Sequence, residues 1–220
     1  MKLFIRSLLL IFAVAAISSC KGPQGDKAET ADKKDVDSDV TQSEVYIVDT
    51  DASVIHWKGS KPTGEHHGTV QLKTGELQIT DKSITGGSFI IDLSSIVNED
   101  IEDPEMNAKL VGHLKSPDFF HVDSFPVAEF EITSVVPQEQ DPDYTHSVSG
   151  NLTMKDITKN ITFKANVEIT EGQIKATTND FIIDRTVWNV NYGSKKVFDN
   201  LKDNFIHDEM GLKIELIANK

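Results

Sequence analysis

The stretch Ile161-Thr-Phe-Lys-Ala-Asn-Val-Glu-Ile169 decides the fold class of this chain. Every odd position in it is apolar, and every even position is polar. The segment from Met210 to Ala218 repeats the pattern, with apolar residues at each even position. Strict alternation gives a strand one buried face and one solvated face, which is typical of antiparallel sheet.

Shorter alternating runs extend the pattern over most of the chain. Turn residues separate them at Thr74-Gly75, at Gln140 to Asp143 and at Glu171-Gly172. About eight regularly spaced strands predict an all-β sandwich or closed barrel. The predicted strands, with some of them merged, are 46–49, 53–59, 69–73, 76–80 with 84–93, 127–136, 146–154, 160–170, 173–183 and 210–218.

One helical insertion, at about 104–121, interrupts the strands. Asp103 can cap a helix that has Pro104 at its first position. Met106, Leu110 and Leu114 follow at helical spacing, and Ser116-Pro117 ends the helix ahead of Phe119-Phe120. We expect the insertion to close one end of a barrel. The alternative is a helix packed on the outside of the sheet.

Residues 1–19 have the features of a secretory signal peptide: Lys2 and Arg6, an apolar run from 8 to 17, and small residues before Cys20. The run is too short to span a bilayer comfortably. Removing 19 of the 220 residues leaves 201, and the loss of Lys2 and Arg6 changes the net charge from −13 to −15. This acidity argues against a nucleic-acid partner, which requires a basic face.

Cys20 is the only cysteine, so the chain cannot form an intramolecular disulfide. Ile17-Ser18-Ser19-Cys20 resembles a bacterial lipobox, in which the cysteine is acylated and anchors the protein to a membrane. Lys21, in place of an aspartate, favours the outer membrane, with the protein facing the periplasm. The alternative is a chance cysteine at an ordinary cleavage site. Residues 20–44 are polar and contain no aromatic residue, which predicts a flexible tether after the acylated Cys20.

The central one of several ordered motifs across residues 45–220 is His113-Leu-Lys-Ser-Pro-Asp-Phe-Phe120, followed by Phe125-Pro-Val-Ala-Glu-Phe130. Together these motifs resemble the YceI-like domain. The resemblance implies an eight-stranded antiparallel lipocalin-like barrel that binds a polyisoprenoid or quinone-type lipid, and it implies no established catalytic residues. The remaining motifs are Gly64–Gly68, Ile84–Phe89, Val148–Lys159 and Asp180–Arg185.

An eight-stranded barrel is either filled by its own side chains or holds one ligand. Binding costs about 4–15 kcal/mol in lost freedom, and each buried methylene returns about 0.8 kcal/mol. A cavity would therefore select a long isoprenoid or prenyl quinone chain, and no other cofactor is implied. The oligomeric state is not indicated. The candidate cavity or mouth residues are Trp57, Phe89, Ile91, Leu110, Leu114, Phe119, Phe120, Phe130, Ile132, Phe163, Phe181 and Trp188.

Two other functions stay open from the sequence: a ligand-free module with a filled barrel, and a periplasmic metal-dependent or hydrolytic enzyme that uses His66 and His67. Adjacent residues on a strand point to opposite faces, and no third ligand follows at a recognised metal-binding spacing. No Gly-x-Ser-x-Gly elbow occurs, so we assign no metal or catalytic residue. Asp184 and Arg185 form either a structural pair or a clamp for a polar head group.

Overall fold

The computed structural model describes residues 22–36 and 43–220. They include one α-helix, α1 (Pro104–Lys115), and two 3₁₀ turns, Arg185–Trp188 and Lys202–Asn204. The strands are β1 (Asp26–Lys27), β2 (Glu29–Asp32), β3 (Glu44–Val48), β4 (Val54–Lys61), β5 (Gly64–Thr80), β6 (Ser83–Asn98), β7 (Val127–Pro137), β8 (His146–Met154), β9 (Ile157–Ile169), β10 (Gln173–Thr177), β11 (Phe181–Asp184) and β12 (Glu209–Asn219).

Eight of these strands form a closed antiparallel ring. From β4 to β10 each strand pairs with the next one along the chain; β10 then pairs with β12, and β12 pairs with β4. The alternating residues on β9 point their apolar side chains inward, so Ile161, Phe163 and Ala165 are buried. The predicted all-β, eight-stranded barrel with one helix is confirmed.

Three predicted strand divisions are wrong. Residues 76–80 and 84–93, predicted as one unit, belong to the separate strands β5 and β6. Thr74-Gly75 is not a turn, because β5 continues through it with a shift of register against β6. A Cβ atom at Gly75 would lie 2.8 Å from both Phe89 and Val48, so this glycine allows close packing rather than a reversal. The predicted strand 173–183 is divided into β10 and β11, which pair with different parts of β12.

Helix α1 begins as predicted, because the Asp103 carboxylate accepts a hydrogen bond of 2.9 Å from the Met106 amide. The helix ends at Lys115, and no residue in it is fully buried. Met106 is 54% exposed, so the apolar stripe does not pack as a whole against the barrel. We call the end of the barrel that carries α1 the helix end.

Residues 22–36, which we call the N-terminal arm, lie along the barrel wall. Strand β1 pairs in parallel with β11, and β2 pairs antiparallel with β9. The flexible tether predicted over 20–44 is therefore wrong for residues 22–36. Its polar composition does not prevent docking, because the arm is held by backbone hydrogen bonds to strand edges. The signal peptide, Cys20 and residues 37–42 lie outside the described residues.

Candidate functional site

The barrel encloses a cavity of about 210 Å³ whose walls are almost wholly apolar. Along β12 its lining runs from Met210 through Leu212 and Ile214 to Leu216. At about 3.3 Å per strand residue this run spans roughly 20 Å. The cavity is therefore long and narrow, and it follows the barrel through several layers of side chains.

Ten of the twelve candidate residues line this cavity, and their contact with a lipid stays a prediction. The ten are Trp57, Phe89, Ile91, Leu114, Phe119, Phe120, Phe130, Ile132, Phe163 and Phe181. Several aliphatic residues that also line the cavity were not among the twelve candidates. They lie on the inward-facing positions of the same alternating strands, so the alternation could have identified them. These include Ile55, Val70, Leu72, Leu77, Ile84 and Ala165.

Leu110 and Trp188 do not line the cavity, which corrects two of the twelve candidates. Leu110 is half-buried on α1, whose apolar stripe is only partly covered. Trp188 is fully buried, and its indole nitrogen donates to the Leu152 carbonyl at 2.9 Å. That hydrogen bond holds the indole against β8, so Trp188 supports the barrel rather than lining its cavity.

Aromatic rings form a continuous row across one side of the cavity. The Phe89 and Phe130 centroids are 6.2 Å apart, and those of Phe130 and Phe163 are 5.9 Å apart. Phe163 stacks on Phe181 with centroids 4.6 Å apart and an interplanar angle of 8°. Gly150 gives Phe130 room, since a Cβ there would lie 2.2 Å from its ring. The row gives the cavity a broad, rigid apolar surface.

The helix end is closed by the turn after α1. Phe119 and Phe120 are buried and line the cavity at this end. The ammonium of Lys155, on the β8–β9 turn, donates to the Phe119 carbonyl at 2.9 Å and to the Asn189 carbonyl at 3.0 Å. Burial lowers the pKa of Lys155. Of the predicted insertion, these two phenylalanines and Leu114 face the cavity.

Arg185 organises the loop that borders this end. It is 4% exposed, and its guanidinium donates to the carbonyls of Val190, Tyr192, Ile206 and His207. Burial lowers the pKa of Arg185, and nearby Asp208 and Asp184 oppose that shift. Asp184 instead accepts from the Thr186 amide and pairs with Lys196. Arg185 thus has a structural role, since backbone carbonyls occupy the donors that a head-group clamp would need.

The His66-His67 pair lies on β5 and flanks Asp100. His66 Nδ1 is 2.8 Å from one carboxylate oxygen of Asp100, and the His67 amide donates to the other at 2.8 Å. Burial alone would raise the pKa of Asp100, but hydrogen bonds from His67, His66 and Asn98 outweigh it and lower the pKa to about 2. Within residues 22–36 and 43–220, no three His, Cys, Asp or Glu side chains are grouped as metal ligands.

Asp100→Asn should reduce stability at neutral pH and remove part of its acid dependence. A carboxyl pKa lowered from 3.8 to about 2 stabilises the fold fully above pH ~4. This contribution, on the order of 2 kcal/mol, is lost as the pH falls from about 4 to 2. Urea unfolding at pH 7 and pH 3 measures it. Equal loss of stability at both values in the variant would contradict the assignment. Asp51→Asn, in an exposed turn, is the control.

A closed eight-stranded antiparallel β-barrel around an elongated apolar cavity defines the class of lipocalin-like barrels. Residues 46–218 match the YceI-like domain, so the chain belongs to the YceI-like family. No curated protein matches the sequence.

Two solved structures share the fold. A polyisoprenoid binding domain from Saccharophagus degradans, implicated in plant cell wall breakdown, is 17% identical with a TM-score of 0.55, covering 79% of this chain and 97% of that domain. BcnA from Burkholderia cenocepacia is 21% identical with a TM-score of 0.55, covering 78% of this chain and 99% of BcnA.

Proposed function

We propose that this protein is an exported, membrane-anchored binding or carrier protein for a long isoprenoid lipid, either a polyprenyl compound or a prenyl quinone. The observation that carries the proposal is the elongated, almost wholly apolar cavity. A small polar ligand would lose its hydration there and gain no hydrogen bonds in return. A long apolar chain loses only its contact with water, which is favourable. The polyisoprenoid-binding S. degradans domain of the same fold supports this ligand class.

The shape of the cavity selects a chain rather than a compact molecule. At about 0.8 kcal/mol per buried methylene, roughly ten to fifteen carbons offset an association cost near 10 kcal/mol. A lining that extends over roughly 20 Å can accommodate a chain of that order. The polar head group then lies at or beyond the end of the apolar lining.

Purification from the native envelope tests the proposal. Native mass spectrometry should show one lipid per barrel, and solvent extraction should release a prenyl compound. In vitro, a tetraprenyl benzoquinone should bind more tightly than the same quinone without its chain. Protein that emerges without lipid and does not bind the tetraprenyl compound would overturn the assignment.

The membrane anchor is proposed at Cys20. The first described residue, Gly22, packs beside His207, so a Cβ placed on it would lie 3.5 Å from the imidazole. Only Lys21 lies between Cys20 and the docked Gly22, so the Cα atoms of Cys20 and Gly22 are at most about 7 Å apart. An acyl group on Cys20 would hold the barrel close to the membrane surface. In the described residues no helix has the length and hydropathy needed to cross a bilayer.

Cys20→Ser should release the protein from the membrane fraction, because acylation is then blocked and the proposed anchor is lost. Membrane fractionation followed by immunoblotting measures this. Ser19→Ala, which keeps the cysteine and a small residue before it, should remain in the membrane pellet. A Cys20→Ser protein that still sediments with membranes would show that acylation is not the sole anchor.

Phe119→Ala and Phe120→Ala should weaken prenyl quinone binding as well as the fold. Each substitution removes a buried ring and is expected to cost ~3–5 kcal/mol of stability. Because both rings line the cavity, the folded fraction should also bind the tetraprenyl quinone less tightly. Binding titrations at 10 °C with matched thermal melts separate the two effects. Unchanged affinity in both variants would show that these two residues do not contact the ligand at the helix end.

A further inference from the structure

The barrel wall contains a seam between β9 and β11. Near the helix end these two strands do not pair with each other; the N-terminal arm lies between them. The Ala28 amide donates to the Ile182 carbonyl of β11 at 2.9 Å. From Glu29 to Asp32 the arm pairs instead with β9, opposite Thr162 to Lys159. The arm thus bonds first to one edge of the seam and then to the other.

Inside the barrel, the same seam is spanned by the Phe163–Phe181 stack. Phe163 belongs to β9 and Phe181 to β11, and both rings line the cavity. No backbone ladder joins the two strands at this level, so the stack and the arm are what close the wall there. Elsewhere in the ring each strand pairs directly with its neighbours, and the β6–β7 and β8–β9 ladders are continuous.

The arm is held mainly by polar contacts. From Asp26 to Asp32 only Ala28 is buried, at 5% exposed, so little apolar area fixes this segment. Asn151 clamps the far end, accepting from the Lys34 amide at 3.0 Å and donating to its carbonyl at 2.8 Å. Asp32 pairs with Lys159 at 2.8 Å, but its side chain is 94% exposed. Exposed ion pairs and edge hydrogen bonds contribute little, so this strand can open locally at low free energy.

Both ends of the barrel hold buried side chains that obstruct passage along its axis. Phe119 and Phe120 occupy the helix end. At the opposite end Tyr46 is buried, and its hydroxyl donates to the carbonyls of Thr170 and Glu171 at 3.3 and 3.1 Å. A chain moving along the axis must displace these groups. A chain entering through the seam must displace only the arm and separate one ring pair.

We propose that the N-terminal arm is a side gate of the cavity, and that the isoprenoid chain enters and leaves between β9 and β11 when residues 26–32 detach. This inference rests on the proposed function. A lateral opening suits a long flexible chain, because the chain slides in along its length instead of threading through one end. The arm lies outside the matched domain, residues 46–218.

A reversible disulfide across the seam tests the gate. Glu29 and Thr162 are direct partners, and neighbouring strands bring Cα atoms within disulfide range. Glu29→Cys/Thr162→Cys is made in the Cys20→Ser protein and loaded with tetraprenyl benzoquinone. Its release to phospholipid vesicles is followed before and after oxidation. Oxidation should slow release by about tenfold or more, equivalent to ~1.4 kcal/mol in the barrier.

The matched control places the same crosslink in a continuous part of the wall. Ser88 and Glu131 are direct partners on β6 and β7, and both are exposed. Oxidation of Ser88→Cys/Glu131→Cys should leave the release rate unchanged. Equal slowing in both pairs, or no slowing at the seam, would overturn the gate. If the reduced protein binds no tetraprenyl quinone at all, that result overturns the proposed function, and the gate with it.

Amide hydrogen exchange gives a second test that needs no ligand. The Ala28 amide should exchange faster than amides in the β8–β9 ladder, because the arm opens without unfolding the barrel. Oxidation of the Glu29→Cys/Thr162→Cys pair should slow that exchange. An arm that exchanges as slowly as β9 in the uncrosslinked protein would contradict a removable strand.

Discussion

Ala165→Phe should abolish most prenyl quinone binding while the barrel stays folded. Ala165 lies on β9, is 2% exposed and lines the cavity. A phenyl ring there projects into a space of about 210 Å³ and leaves no room for a continuous chain. If it displaces about four methylene-sized groups, the lost transfer energy is ~3 kcal/mol, which weakens binding on the order of 100-fold.

The stability cost of Ala165→Phe should leave the barrel folded, so the loss of affinity can be measured on folded protein. Filling a cavity is compatible with the fold, and overpacking costs typically ~1–3 kcal/mol. Glu168→Phe adds the same ring to an exposed position on the same strand, so it should bind like the parent protein. Fluorescence titration with tetraprenyl benzoquinone and urea unfolding measure the two quantities. Full binding by a folded Ala165→Phe protein would place the ligand outside the barrel.

Arg185→Met should cause a large loss of stability at the helix end. The guanidinium satisfies four backbone carbonyls in the loop from Val190 to His207. Methionine fills part of the space but donates no hydrogen bond, so these buried carbonyls lose their partner. Asp208 also loses its nearest buried cation, at 3.9 Å. Together these losses should lower the free energy of unfolding by about 3–5 kcal/mol.

Arg185→Lys should rescue only part of this stability, because an ammonium cannot reproduce the planar fork of donors. Lys175→Met, at an exposed position on β10, is the control and should stay within about 0.5 kcal/mol of the parent protein. Urea unfolding gives the free energies, and hydrogen exchange should show faster opening of residues 190–207 in Arg185→Met. An unfolding free energy equal to that of the parent would contradict the structural role.

The wall between β9 and β11 has to exclude water from the cavity and also open to admit a ligand. Phe163 and Phe181 must pack closely enough to exclude water, yet they close a seam that lacks a direct backbone ladder. The arm meets both demands, because it completes the wall with hydrogen bonds while burying little apolar surface. Such a segment belongs to the low-stability part of a fold, from which moving elements are drawn.

The alternating residues of 161–169 and 210–218 were enough to predict an antiparallel all-β fold, and the resemblance to the YceI-like domain implied the closed barrel. Whether a side chain faces the core or the solvent is set by strand period, which is a local property of the sequence. The same alternation along each strand placed Phe89, Phe130 and Phe163 on the inner face, where the cavity lies. Asp103 and Pro104 likewise located the start of α1, because a helix cap depends on neighbouring residues alone.

Only the tertiary structure showed where the arm, Trp188 and Arg185 lie and what they contact. The arm is polar enough to suggest a free tether, but the strand edges that it joins come from β9 and β11, more than 120 residues further along the chain. Trp188 is held in place by a hydrogen bond to the Leu152 carbonyl. Arg185 is held by carbonyls of the loop, such as that of His207. Backbone groups are the same in every residue, so composition and periodicity carry no record of which distant carbonyl or strand edge a segment will meet.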